Sequence, residues 1–143
     1  MLNFHRVDHG SPEYEETVAL RNDVLRAPLG LVFTPEQLGA ESDDLHLACY
    51  REGRLVACLI LAPVDPTTVK MRQVAVAFDQ QGQGVGRALV EESERVARER
   101  GWTLMTLHAR DLAVPFYERL GYERIGEQFE EVTIPHWAMQ KRL

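Results

Sequence analysis

Cysteine is scarce in this chain of 143 residues: there are two, Cys49 and Cys58, each inside an apolar, strand-like run and without Cys-x-x-Cys spacing. That excludes a disulfide framework and reads as two reduced core thiols in a cytosolic protein. Long apolar runs are missing too; none approaches the roughly 20 residues of a membrane-spanning helix. The N-terminus, Met1–Gly10, has no basic segment leading into an apolar one, so no secretion signal is read. Positive charge is in deficit: 16 Lys and Arg face 22 Asp and Glu, a net charge of −6, and the acids are spread along the chain. No basic stripe for nucleic acid is left. An acidic surface mildly favours cationic small substrates and equally serves solubility. The five histidines have no ligand spacing, so no metal centre is expected. These absences describe a soluble, cytoplasmic protein without nucleic-acid or membrane partners.

What remains is an ordinary globular balance, 45% hydrophobic and 27% charged, at a length that favours one domain over residues 1–143. Asn3–Asp8 reads as a strand. Ser11-Pro12-Glu13 starts a helix to about Arg26, where Ala27-Pro28 ends it, and Thr34-Pro35-Glu36 starts a short one to about Ala40. Leu45–Tyr50 and Leu55–Ala62 form a hairpin about Gly53, and a further strand runs from Thr68 to Phe78. The clearest helix, Gly84–Arg100, has a small or apolar stripe of Val85, Ala88, Leu89, Ser93, Val96 and Ala97. A strand, Thr103–His108, and a helix, Leu112–Leu120 capped by Asp111, follow. The last strand is expected over Val132–Met139, with Pro135 implying an edge or bulge. The order β-α-α-β-β-β-α-β-α-β-β predicts an α+β domain with a mixed sheet and a β-α-β step at Gln80–Leu89.

That step holds three glycines within five positions, Gly82, Gly84 and Gly86, between a strand and a helix. Such a loop exposes backbone N–H groups at a helix start, a cradle for phosphate. Gly86-Arg87-Ala88 lacks the Lys-Ser/Thr of a nucleotide P-loop. Arg87 stands where a dinucleotide loop would need glycine. Instead Gln81-x-x-Gly84-x-Gly86 resembles the pyrophosphate loop of the GCN5-related N-acetyltransferases, the GNAT superfamily. Downstream, Ala113-Val114-Pro115-Phe116-Tyr117 with Gly121-Tyr122 resembles that family's second signature, at the expected distance. The ending, with Phe129, Glu130, Glu131, Ile134, Pro135, His136 and Met139, is similar to its ElaA/YjcF-like bacterial subgroup. The chain departs from the family at Arg110, where many members have Asn, and at Val76-Ala77-Phe78, where many have Val-x-Pro.

The resemblance implies a splayed, mostly antiparallel sheet flanked by helices, and acetyl transfer from acetyl-CoA to an unidentified amine, small or protein-borne, without metal. It implies that backbone groups of Gln81, Gly82, Gln83, Gly84, Val85, Gly86 and Arg87 hold the pyrophosphate. It implies too that Val74, Ala75 and Val76 run beside the pantetheine arm, with an N–H near Val76 against the thioester oxygen. Tyr117 matches the family tyrosine that returns a proton to the leaving thiolate. The base is open among His136, His46, His108, Glu130, Glu131 and water. Arg21 and Arg26 are candidate substrate anchors, against a solvated helical face. Phe116, Leu120 and Tyr122 are read as core. Two alternatives keep less of this chemistry: a non-catalytic acyl-CoA sensor, and an interaction module that has lost the cofactor. Many members of the family dimerise, and an edge strand here could serve a homodimer; the oligomeric state is open.

Overall fold

Ser11, Pro12 and Glu13 act as their types dispose them to. In the computed structural model, which describes residues 1–143, the Ser11 hydroxyl accepts a hydrogen bond from the Tyr14 N–H and Pro12 opens helix α1 (Pro12–Arg21). The expected extent to Arg26 holds, but the winding changes: Asn22–Arg26 form a π turn and Ala27–Leu29 a 3₁₀ turn, ended by left-handed Gly30. Helix α2 (Pro35–Gly39) is closed by a reciprocal cap, in which Thr34 Oγ1 accepts from the Gln37 N–H and Gln37 Oε1 accepts from the Thr34 N–H.

Strands β1 (Leu2–Val7), β2 (Leu45–Arg51), β3 (Arg54–Pro63) and β4 (Thr68–Val76) form an antiparallel meander. Glu52 and Gly53, both at positive φ, make the two-residue β2–β3 turn. Helix α3 (Val85–Glu99) then carries the chain to β5 (Leu104–Arg110), which lies parallel to β4. Helix α4 (Val114–Arg119) leads to a hairpin of β6 (Glu123–Glu131) and β7 (Ile134–Arg142). The sheet has seven strands in the order β1-β2-β3-β4-β5-β7-β6, the mixed and mostly antiparallel arrangement of the α+β reading.

Four local expectations change. Val132 and Thr133 do not begin the last strand; both adopt positive φ and form its hairpin turn, which β-branched residues seldom do. Strand β7 is not an edge, because β5 and β6 flank it; Pro135 is tolerated because the β5 ladder ends opposite His136. The edge on this side of the sheet is β6, whose register breaks between Ile125 and Phe129, around left-handed Gly126. Strand β4 stops at Val76, and Phe78–Gln80 is a 3₁₀ turn. Asp111 does not cap α4; its carboxylate accepts from Trp137 Nε1 and Gln128 Nε2 instead, and the helix starts at Val114.

Strand β3 is apolar from Leu55 onward because both of its faces are covered there. Leu59 and Leu61 join Leu89, Val90, Val96 and Ala97 of α3 in the main core, whereas Cys58 Sγ lies 3.8 Å from the Thr17 carbonyl of α1. The feature that positions the site is the break between β4 and β5. They pair only over Thr68–Met71 and Leu104–Leu107. Gln73, at φ 55°, then adds a bulge on the β3 side, where the register shifts between Cys58 and Ile60, and the two strands part.

Candidate active site

Two cavities open on this gap, about 300 Å³ and about 560 Å³ in volume, and both are lined by Val24, Val74, Ala113 and Tyr117. The larger is bounded by the glycine loop, Val76, Phe116 and Leu120; the smaller by the π turn, β4, β5, Glu131 and His136.

On the larger side, the direction of the β4 backbone follows from its ladder with β3. Ala75 pairs with Cys58, and the Ala77 N–H donates to the Val56 carbonyl. Alternate residues of an antiparallel strand point their backbone groups the other way, so Val74 and Val76 face the gap, where β5 no longer takes them. In agreement, Gln81 Nε2 reaches back and donates to the Val76 carbonyl at 3.0 Å, tying the loop to the strand end. Gly82 and Gly84 have φ of 77° and 82°, and a Cβ at either would meet nothing within 4 Å. Helix α3 has no side-chain cap, so its first-turn N–H groups, through Arg87, stay available. Gly86 serves differently: its Cβ would stand 3.4 Å from Phe116 Cζ and 3.5 Å from Val76 Cγ2, so it lets α3 approach α4 and β4. Arg51, bonded to Gln80 and Gln83, and the Arg54–Asp79 pair brace the loop from outside.

The smaller side is polar. His136 is 5% exposed, and its Nδ1 lies 2.7 Å from the Ile134 carbonyl. A carbonyl only accepts, so Nδ1 carries a proton, and in the neutral form of the ring the lone pair lies on Nε2, 3.7 Å from Glu131 Oε2. His108 Nδ1 donates to Glu131 Oε1 at 3.0 Å. Lys70 Nζ stands 3.4 Å from the same His108 nitrogen, which cannot also accept, so Lys70 acts there as a charge near Glu131. Burial raises the Glu131 carboxyl, but the His108 bond and the His108, His136 and Lys70 charges outweigh it, leaving the group below the usual carboxylate range. Burial pushes the Lys70 ammonium down, and burial with the neighbouring Arg21 and Arg110 charges does the same to Arg26. Arg21 and Arg26 both stack on Phe33, each 4.5 Å from the ring centre. Tyr117, between the two cavities, is 7% exposed, and burial alone pushes its hydroxyl well above the usual phenol range.

Residues 32–143 match the acetyltransferase (GNAT) domain family. The chain belongs to the GNAT family. It is similar to the uncharacterized N-acetyltransferase YjcF of Bacillus subtilis, 33% identical over 73 residues, covering 50% of this chain and 52% of the relative. It superimposes on an acyl-CoA N-acyltransferase from Pseudomonas aeruginosa with a TM-score of 0.82 and 26% identity, over 99% of both chains. Escherichia coli ElaA, with the same TM-score at 21% identity and 99% coverage of both chains, shares the fold.

Within this GNAT chain, Val74, Val76, Gln81, Gly82, Gly84, Gly86, Arg87 and Tyr117 line the larger cavity, and His136, His108 and Glu131 the smaller. Others lie elsewhere. His46 is buried between β2 and α1, its Nε2 3.0 Å from the Glu41 carbonyl and its ring against Tyr14 and His9, outside the gap. Ala75 turns its backbone to β3 and buries its side chain. Val85 is buried, and Gln83 bonds the Asp79 carbonyl and Arg51, so neither side chain lines the cavity. Glu130 is exposed on the edge strand. Phe116 and Leu120, read as core, are half-buried cavity walls, while Tyr122 is core and donates to Glu94. Arg26 lines the smaller cavity; Arg21 is locked to buried Glu41. Sequence reasoning missed Lys70, Arg72 and the side chain of Arg110. The signal was there: charges at alternate positions of Val69–Arg72 and Leu107–Arg110 put two cationic or histidine side chains on one face of each strand. No group of three His, Cys, Asp or Glu side chains is placed to hold a metal ion, and no helix is long and apolar enough to cross a membrane.

Proposed function

We propose that this GNAT protein transfers an acetyl group from acetyl-CoA directly to the nitrogen of a small amine in the cytoplasm. The observation that carries this reading is the meeting of two cavities at Tyr117, one with an open phosphate cradle and one with an imidazole lone pair. The cradle suits the donor: the backbone at Gly82 and Gly84 is open to solvent and the Val74 and Val76 backbone groups face the gap. Acetyl-CoA supplies the activated acyl group. The N–H groups from Gly82 to Arg87 hold its phosphates, and the Val74 and Val76 edge aligns its arm as an added strand would. The Val76 N–H is the donor available to oxygen as negative charge develops there. His136 Nε2, backed by Glu131, takes the amine proton as nitrogen bonds to the acyl carbon. Tyr117 gives a proton to the sulfur as its bond to that carbon breaks. His108 and Glu131 remain alternatives to His136 for the first transfer, directly or through water.

Acetyl-CoA at 100 times its Kd is expected to stabilise the protein by about 2.7 kcal/mol, read as a rise in Tm. Gly84→Asp sets a carboxylate against the phosphates at a left-handed position and is expected to abolish that rise. A retained rise would remove the loop from the site. Released thiol, followed with an amine panel, tests the reaction itself: stabilisation by acetyl-CoA with no acceptor-dependent thiol release would leave a sensor and refute transfer.

A further inference from the structure

We infer that the acceptor amine also carries an acidic group, a carboxylate or phosphate, held by Arg26, Lys70, Arg72 and Arg110 in the smaller cavity. This rests on reading that cavity as the acceptor site. Three guanidinium groups, one ammonium and two histidines line it against one carboxylate, Glu131, which already serves both histidines.

The four cations are unusual in this chain. Acids outnumber bases, 22 to 16, and Arg21, Arg54, Arg87, Arg95, Arg98, Arg124 and Lys141 each have a carboxylate within 4.0 Å. Arg6, Arg100, Arg119 and Arg142 lack one but are exposed to water, and half-buried Arg51 donates instead to the Gln80 and Gln83 side chains. The cavity cations are half-buried and still have no such partner. Arg72 makes no side-chain hydrogen bond, and Asp44 acts on it only at longer range. Arg110 donates only to the Leu25 carbonyl, at 3.2 Å. Arg26 Nε is buried with no partner at all. Like charges gathered in a half-buried cleft repel one another and lose hydration, a cost that a bound anion removes. Guanidinium groups meet carboxylate and phosphate through paired N–H donors, which fixes orientation as well as charge. The same cleft repels polyamines, reversing the preference that the net charge of the whole chain suggests. At about 300 Å³ it suits a small acidic amine.

The test uses the full chain with saturating acetyl-CoA and reads released thiol. The acceptors are the common amino acids, each paired with its carboxamide; O-phosphoethanolamine paired with ethanolamine; and spermidine. The acidic member of at least one pair is expected to exceed its neutral partner in kcat/KM by roughly 10-fold to 100-fold, the worth of a charged hydrogen bond. Which pair does so separates carboxylate from phosphate. Arg72→Glu is expected to erase or reverse that ratio while acetyl-CoA stabilisation persists; a merely structural role would lower both members together. Arg95→Ala, on the far face of α3, is the control and leaves the ratio unchanged. Equal or better use of the neutral partners or of spermidine, or a ratio unmoved by Arg72→Glu, overturns the inference while transfer itself stands. If no acceptor turns over, calorimetry of the CoA-saturated protein with N-acetylated amino acids and N-acetyl-O-phosphoethanolamine decides. Saturable binding lost in Arg72→Glu supports the anion site, and no binding of any of them refutes it. Loss of the acetyl-CoA stabilisation itself would instead sink the transferase reading.

Discussion

Tyr117→Phe is expected to lower kcat by roughly 10²- to 10⁴-fold with acetyl-CoA affinity nearly unchanged. The substitution removes one oxygen and keeps the ring, which stands edge-on to Phe116 at 4.9 Å and to Tyr122 at 5.8 Å between ring centres. Packing is therefore preserved, and the loss falls on the step in which sulfur departs. A thiol in water has a pKa of about 8.5, and a thiolate released into this half-apolar gap has lost most of its hydration. A phenol alongside it is a ready donor, and burial keeps this phenol protonated throughout the neutral and mildly alkaline range. Steady-state kinetics at saturating acceptor, together with calorimetric titration of acetyl-CoA, separates the two effects. An unchanged kcat would dismiss the hydroxyl as the acid, and an equal loss of affinity would make it a binding group.

Removing Glu41 is expected to cost about 3–5 kcal/mol, as breaking one side of a buried ion pair does. Its carboxylate receives Arg21 Nη1 at 2.8 Å, Arg21 Nη2 at 2.5 Å and the Tyr14 hydroxyl at 2.8 Å, joining α1 to the segment that precedes β2. Arg21 is 1% exposed and its Nε already lacks a partner, so Glu41→Ala strands a whole guanidinium in the interior. The pH dependence has two limbs. Burial raises the Glu41 carboxyl, but the Arg21 bonds and charge, with the Tyr14 bond, hold it below the usual range. Its contribution is thus complete above the unfolded value of about 4.3 and lost as pH falls through the folded one. Tyr14 behaves oppositely: burial first, then the bond to Glu41, push its hydroxyl up to about 12. Its contribution is complete below about pH 10, the unfolded value, and lost between there and about pH 12. Urea unfolding of the wild type and Glu41→Gln from pH 3 to 11 reads both limbs. A variant within about 1 kcal/mol of wild type at pH 7 would show that the pair contributes little.

The glycine loop and helix α3 were legible because their signals are local: glycines mark left-handed and close-packed positions, and the stripe from Val85 to Ala97 repeats at the helical period. The same holds for the β2–β3 turn at Gly53. The terminal hairpin was misread because Val132-Thr133 looks like strand and is turn, its conformation imposed by the pairing on either side. His46 looked like a cleft residue for a related reason. Its place is decided by whichever helix covers β2, which a strand's own sequence does not encode. The smaller cavity was the least legible part. Lys70, Arg72, His108 and Arg110 are far apart in the chain, and their convergence depends on β4 and β5 being neighbours, parallel, and then separating at Gln73. Net charge misled in the same way, since −6 over the whole chain coexists with a cationic cleft.

The π turn at Asn22–Arg26 has a bearing on how this helix tolerates insertions and deletions. Residues five apart on an α-helix point about 140° away from each other, at about 100° per residue. Arg21 and Arg26 nevertheless both stack on one ring, Phe33, because the i to i+5 winding brings them into line. One of the two belongs to the buried pair that steadies the fold, and the other to the cleft. Losing a single residue between them would restore ordinary winding with Arg26 about 40° from Arg21, keeping both near Phe33, whereas gaining one would put Arg26 about 120° away, leaving Arg21 with Glu41 and turning Arg26 out of the cleft. The scaffold and the charge of the cleft thus part company at one codon, and a lineage that gained such a residue would keep the first while changing the second.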